Sequence, residues 1–204
     1  AAEGFASASR IRELLINGGS ADEFLTPESA AICARERAAG RAPVTMANAE
    51  RAILARLRAM REEDFAPFDG GGEGLYHRFY DAVQRETTID GILAAAKSKR
   101  YAYARLRRLL LAAYLGVTPE DIPQRVPYLR VLACNARGRE VLRRMKTTAA
   151  APILTKSAQV RRLDAAAQRL FALTARAEEQ YTLAYPSLAA ARPGSAWTTT
   201  PVIL

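Results

Sequence analysis

Apolar residues recur in this chain at the spacing of an α-helix. Leu75, Phe79, Ala82 and Val83 fall at i, i+4, i+7 and i+8, and Ala102, Leu106, Leu109, Leu110 and Ala113 repeat the pattern one position longer. A third stripe, Ile53, Leu54, Leu57 and Met60, has Arg51, Arg56, Arg58 and Arg61 turned away from it. Each is the stripe a helix buries against its neighbours, and their recurrence predicts a mainly α fold. Composition agrees: half of the residues are hydrophobic, only 7% are aromatic, and alanine, leucine and arginine dominate.

Capping residues place the helix ends. Thr26-Pro27-Glu28 puts a hydroxyl at the cap, proline in the first turn and an acid beside it, predicting a helix to about Ala39 that stops at Gly40. Ser7 or Ser9 caps an earlier helix ending at Gly18-Gly19, and Ser20 with Glu23 has capping-box spacing. Thr45 or Asn48 opens the third helix. Thr87-Thr88 separates the Leu75 stripe from a helix over residues 89–96. Residues 64–72, DFAPFDGGG, carry a proline and three glycines and read as a flexible connection. They are not a phosphate loop, which needs Gly-Lys-Ser or Gly-Lys-Thr entering a helix.

The pattern changes at Pro127. Tyr128, Leu129, Val131 and Leu132 form a short apolar run, residues 138–146 read as a helix, and Pro152-Ile153-Leu154 follows. This predicts at most a small two-stranded parallel sheet near residues 128–134 and 152–155. A long helix over about 159–181 comes next, then a surface-wrapping tail in which Trp197 is a packing anchor.

Charge narrows the partner. Thirty Lys and Arg against 21 Asp and Glu leave +9, which favours a polyanion. The excess is densest over residues 97–114, KSKRYAYARLRRLLLAAY. Read as one helix, this segment buries the Ala102 stripe and shows Arg100, Tyr103, Arg107 and Tyr114 on the flank, with Arg105 and Arg108 close by. Arginine forks onto phosphate and tyrosine offers a face to an unstacked base, so the strip suits RNA. A plain solvated basic face has the same composition. Cys33 and Cys134 have no Cys-x-x-Cys spacing and His77 is the single histidine, so neither a disulfide framework, a metal site nor a histidine-based catalytic pair is expected. A reducing, cytoplasmic setting and no membrane span follow from the cysteines and from apolar runs well short of ~20 residues.

Three segments together resemble the bacterial tRNA(Met) cytidine acetate ligase family. Ala6-Ser7-Ala8-Ser9-Arg10-Ile11-Arg12 resembles the Ser-Ala-Thr-x-Ile-Arg element of that nucleotidyltransferase superfamily, with Ser9 in place of threonine. Glu73-Gly74-Leu75, His77-Arg78, Lys97-Ser98-Lys99-Arg100-Tyr101 and Arg105-Leu106 resemble its Glu-Gly-Leu and Lys-x-Lys-Arg-Tyr-x-x-x-Arg-Leu blocks. Pro127-Tyr128-Leu129-Arg130-Val131-Leu132, with Gly138 downstream, is the third.

The resemblance implies an ATP-dependent activation of acetate to acetyl-adenylate and transfer of the acetyl group to N4 of the wobble cytidine of elongator tRNA(Met). It implies ATP with Mg²⁺ on Ser7, Ser9 and Arg12. A tRNA surface is expected on Lys97, Lys99, Arg100, Tyr103, Arg105, Arg107 and Arg108, helped by Arg130 and Lys156. The family's His-x-Gly-His motif does not occur here. The chain is therefore expected to be the C-terminal part of such an enzyme, lacking the N-terminal nucleotidyltransferase domain and inactive alone. Its expected division is residues 1–20 as the end of that domain, 21–64 as a helical segment and 73–204 as the basic tRNA-binding region. The competing reading is a non-enzymatic helical scaffold that binds RNA or an acidic protein.

Overall fold

The computed structural model describes residues 6–69 and 74–204 and divides into two compact units. The first unit, residues 1–49 with 181–192, is built on α1 (Ala8–Ile16) and α2 (Pro27–Ala38). Ser7 caps α1 by accepting from Arg10 N at 3.2 Å, and Thr26 caps α2 by accepting from Ser29 N at 3.3 Å. Ser20 accepts from Asp22 N instead of pairing with Glu23 in a capping box, and opens a single 3₁₀ turn. From α2, Arg37 donates to the carbonyls of Gly19 and Gly18 at 2.9 and 3.2 Å and fixes the turn that ends α1. The returning 181–192 segment is tied down by Asn48 Nδ2, which donates to Pro43 O and Ala184 O, and by Ser187 N donating to Gly40 O. Gly40 has φ +70°, and a Cβ there would meet Ser187 Cβ at 2.5 Å, so both conformation and space demand glycine.

The second unit, residues 50–180 with 193–204, begins with α3 (Glu50–Arg58). A 3₁₀ turn (Glu62–Phe65), α4 (Ala66–Asp69), α5 (Leu75–Arg85), α6 (Ile89–Ala96) and α7 (Tyr103–Leu115) follow. Ile53, Leu57, Phe65, Leu75, Phe79, Val83, Ile92, Leu93, Leu106 and Leu110 are all fully buried there, with the Phe65 and Phe79 rings 5.7 Å apart. Each large apolar side chain buried in this cluster contributes about 1.5–3 kcal/mol. Residues 64–69 are ordered, forming the end of the 3₁₀ turn and α4 with Phe65 buried, which corrects the reading of that stretch as flexible; the Gly70-Gly71-Gly72 run and Glu73 lie outside the described residues.

Beyond α7 the fold changes as expected at Pro127. β1 (Leu129–Arg130) pairs in parallel with β3 (Ile153–Leu154), and α8 (Ala136–Thr148) lies between them in sequence. A second parallel pair, absent from the expectation of a single sheet, joins β2 (Ala133–Cys134) to β4 (Val202–Ile203). A smaller core of Leu154, Val160, Phe171, Ala175 and Ala196 seats this region against α9 (Ala165–Thr182) and α10 (Ser195–Thr198). Trp197 is half-exposed but stands edge-on to Phe171 at 4.7 Å, and its carbonyl accepts from the Ser157 hydroxyl. The fold is mainly α, and among the described residues no helix is long and apolar enough to cross a membrane.

The two units divide the chain after residues 49, 180 and 192. Glycine and proline mark local turns, whereas the units are set by which helices pack. The return of residues 181–192 to the first unit is invisible to local composition.

Candidate nucleic-acid interface

The basic segment is not one helix. α6 ends at Ala96, α7 begins only at Tyr103, and the six residues between them form a turn. Ser98 Oγ accepts from Arg100 N at 3.2 Å, and Tyr101 N donates to Ser98 O at 3.3 Å, so a local side-chain bond competes with helix at that point. Across the turn lies Arg78 of α5. Its Nε donates to Ala96 O at 2.8 Å, and its Nη2 donates to Ala95 O at 2.9 Å and Lys97 O at 3.2 Å. These are the carbonyls that a helix end leaves unsatisfied, and one guanidinium gathers three of them.

The clamped turn presents Lys97, Lys99 and Arg100 to solvent. Lys97 Nζ lies 5.2 Å from the centre of the exposed Tyr103 ring, so cation and aromatic face are held side by side. Arg107 and Arg108 are exposed on α7. Arg108 also edges a cavity of about 540 Å³ shared with Phe68, Asp69, Arg105, Leu109 and Ile122.

Other candidates face inward. Arg105 is bound to the buried Asp69 and lies over the Tyr101 ring. Tyr114, expected on the exposed flank, is buried; Ala102, expected in the buried stripe, is exposed. Ala102 is exposed because α7 starts only at Tyr103, whereas Tyr114 is buried because it stands at i+4 from Leu110 and i+8 from Leu106, on the stripe's own face. Burial pushes the Tyr114 phenol above its usual pKa.

Arg130 and Lys156 belong to the strand region. Arg130 pairs with Glu178 at 3.1 Å, donates to Ala196 O and lies over the Phe171 ring, so its guanidinium helps hold the small core. Lys156 is exposed just after β3. Near it, α8 carries Arg139, Arg143 and Lys146, which the density of charge along the sequence does not single out. Their spacing of i, i+4 and i+7 is the signal that could have found them.

In the first unit, Ser7 is committed to capping α1, while Ser9 and Arg12 are exposed. Arg12 edges a cavity of about 370 Å³ together with Ile16, Arg41, Pro43, Tyr181 and Tyr185. Beside it, Glu36 accepts from Arg41 Nε at 2.6 Å and from Arg35, which together bring its carboxyl down to about 2 against the ordinary 4.5. A helix start, a hydroxyl and an arginine suit an anionic group such as phosphate. His77 is half-exposed, hydrogen-bonded to Glu62 and packed on Tyr76, an ordinary surface arrangement.

Known proteins match this chain across both units. The family model described as HIGH Nucleotidyl Transferase matches residues 1–194. The tRNA(Met) cytidine acetate ligase of Kosmotoga olearia is 36% identical over 157 residues, covering 74% of this chain and 37% of that protein. The ligase of the same name from Syntrophomonas wolfei is 28% identical over 210 residues, covering 97% of this chain and 50% of its own length. The crystal structure of Thermotoga maritima TmcAL bound with alpha-thio ATP superposes with a TM-score of 0.93 at 26% identity, over all of this chain and 53% of that one. The chain thus spans about half the length of the relatives it matches, or less. On the match over residues 1–194, the chain belongs to the HIGH nucleotidyl transferase family.

Proposed function

We propose that this chain is the tRNA-binding part of an ATP-dependent tRNA(Met) cytidine acetate ligase, with the α6–α7 corner as its RNA surface. The observation that carries this reading is the turn of residues 97–102. Three exposed cations and an exposed tyrosine stand on a backbone that a neighbouring arginine has fixed. Fixed cations lose less freedom on meeting phosphate than cations on a loose tail, and a fixed ring can accept a stacked base. The relatives named tRNA(Met) cytidine acetate ligase support tRNA(Met) as the substrate class and an acetate-dependent reaction.

In this reading, Ser9, Arg12 and the free N–H groups of α1 would hold the phosphates of Mg²⁺-bound ATP. When bound, ATP supplies the adenylyl group that activates acetate. The chain's own share is to hold phosphate on α1 and RNA on the α6–α7 corner. With His77 as its single histidine and no His-x-Gly-His sequence, it is not expected to form acetyl-adenylate by itself.

Two measurements on the chain test the proposal. Elongator tRNA(Met) transcript should bind with an affinity that falls steeply with salt, and pyrophosphate should not exchange into ATP. Salt-independent tRNA binding, or none, would remove the RNA role; exchange by the chain alone would show that it does the chemistry itself.

A further inference from the structure

The second unit holds another basic site, built on α8 and the strand pairs and sharing no lining residue with α6 or α7. Between α8 and the two strand pairs runs a cleft of about 380 Å³. One face of α8 lines it with Arg139, Leu142, Arg143 and Lys146, and Lys156 closes it from the end of β3. Its floor is apolar, made by Val131, Leu142, Pro201 and Ile203. Among the described residues no carboxylate lines it. Gly138 lets the first turn of α8 lie against β2, since a Cβ there would stand 3.0 Å from Cys134 Cβ.

We propose that this cleft binds one unpaired nucleotide of a single-stranded RNA segment. The inference rests on the reading of RNA as the partner, and adds a second contact of different character. Four cations around an acid-free hollow call for a polyanion. The apolar floor decides between kinds of RNA: duplex RNA offers a protein its phosphates and ribose hydroxyls and would leave Val131, Leu142 and Ile203 without partners. An unstacked base covers such a floor while its flanking phosphates meet the rim. The volume falls at the small end of the range of roughly 300–1,000 Å³ usual for small-molecule sites, room for one nucleotide and not for a helix.

The test uses the full chain and a short fluorescein-labelled oligouridylate, which forms no duplex. The parent should bind it, and bound oligonucleotide should slow alkylation of Cys134, which lines the cleft, without slowing that of Cys33 in the other unit. Arg139→Ala with Arg143→Ala should weaken binding by about tenfold or more and flatten the salt slope by roughly 0.7 for each phosphate no longer neutralised. Ile203→Asp, at a side chain 56% exposed, should weaken oligouridylate binding while leaving binding of a duplex RNA unchanged. Melting curves matching the parent show that both variants are folded, and the Cys134 measurement needs no variant at all. Unaltered oligouridylate binding by the arginine pair, an unprotected Cys134, or equal binding of an oligoglutamate would overturn the proposal. Those results leave the α6–α7 reading intact if the parent still binds tRNA. Conversely, loss of tRNA binding in Arg100→Ala with Arg107→Ala, with oligouridylate binding retained, supports two separate contacts.

Discussion

Arg105 Nη2 lies 3.2 Å from Asp69 Oδ1 and 3.3 Å from Asp69 O, so one guanidinium closes both the side chain and the backbone of a carboxylate that is only 2% exposed. The Asp69 carboxylate also accepts from Tyr76 N at the start of α5. Arg105 thus joins α4, α5 and α7, and its charge is spent within the fold. Removing it strands a buried carboxylate. Arg105→Ala should cost about 3 kcal/mol of stability, near the low end for breaking a buried pair because the arginine itself is partly exposed. Arg107→Ala, at an exposed position on the same helix, should stay within about 0.5 kcal/mol of the parent. Urea unfolding of the two variants checks this; equal stabilities would show that the Asp69 pair contributes nothing.

The exposed cations should behave as phosphate contacts. Arg100→Ala with Arg107→Ala should weaken tRNA binding and reduce the log–log salt slope by about 0.7 to 0.9 for each phosphate given up. Tyr103→Ala should instead cost on the order of 1–3 kcal/mol with little change in slope, as expected when a stacking face is removed. Filter binding over a salt series separates the two; a slope unchanged in the double variant would mark these arginines as solvated charge only.

Arg78 should matter to RNA without touching it. Its three bonds to Ala95 O, Ala96 O and Lys97 O hold the turn that carries Lys99 and Arg100. Arg78→Ala should release the amides of residues 98–101 to faster hydrogen exchange and weaken tRNA binding. Arg78→Lys should not restore either, since an ammonium lacks the planar fork that spans three carbonyls. Unchanged exchange in these amides would show that the turn stands on Ser98 alone.

The boundaries legible in the sequence are those set by neighbours in the chain. Thr88 caps α6 through Gly91 N, and Leu75, Phe79, Ala82 and Val83 are buried on α5 as their spacing predicts. The start of α7 is not legible, because what ends α6 is partly Arg78, far back in sequence. β4 escapes notice because two residues carry too little pattern, and its partner β2 is remote. The same limit applies to charge. Density along the chain points to residues 97–108, but it cannot tell exposed Arg107 from Arg105, whose partner Asp69 precedes it by two helices. Nor can it tell Lys156 from Arg130, whose partner Glu178 lies on α9. The basic face of α8 is readable from its spacing, yet the denser cluster outweighs it in any count of charge along the chain.

The first unit should respond to acid through Glu36. Its carboxyl titrates at about 2 in the folded chain, chiefly because Arg41 bonds it and secondarily because Arg35 does, against 4.5 for the free group. A depressed carboxyl binds its proton more readily when unfolded, so this contribution is complete above pH 4.5 and is lost as the pH falls towards 2. The pair is near the surface and screened, which keeps the effect small. The melting temperature of Arg41→Ala should lie below that of the parent at neutral pH and converge on it only as the pH approaches about 2. A gap independent of pH would assign the role of Arg41 to packing.

The two parallel pairs close loops of very different length, since Leu129 meets Ile153 whereas Ala133 meets Val202. Closing the longer loop costs about 1 kcal/mol more in chain entropy. Burial does little to offset it: both residues of β4 are exposed, while Leu154 of β3 is buried. The β2–β4 ladder should therefore form after the β1–β3 ladder and open before it. Because Pro201 and Ile203 wall the α8 cleft, that cleft exists only while the late ladder is closed. Whatever occupies the cleft then acts as a latch on the final segment. It would slow exchange at the amides of Val202 and Leu204, which donate to Leu132 O and Cys134 O, and leave those of Leu129 and Val131 as they were.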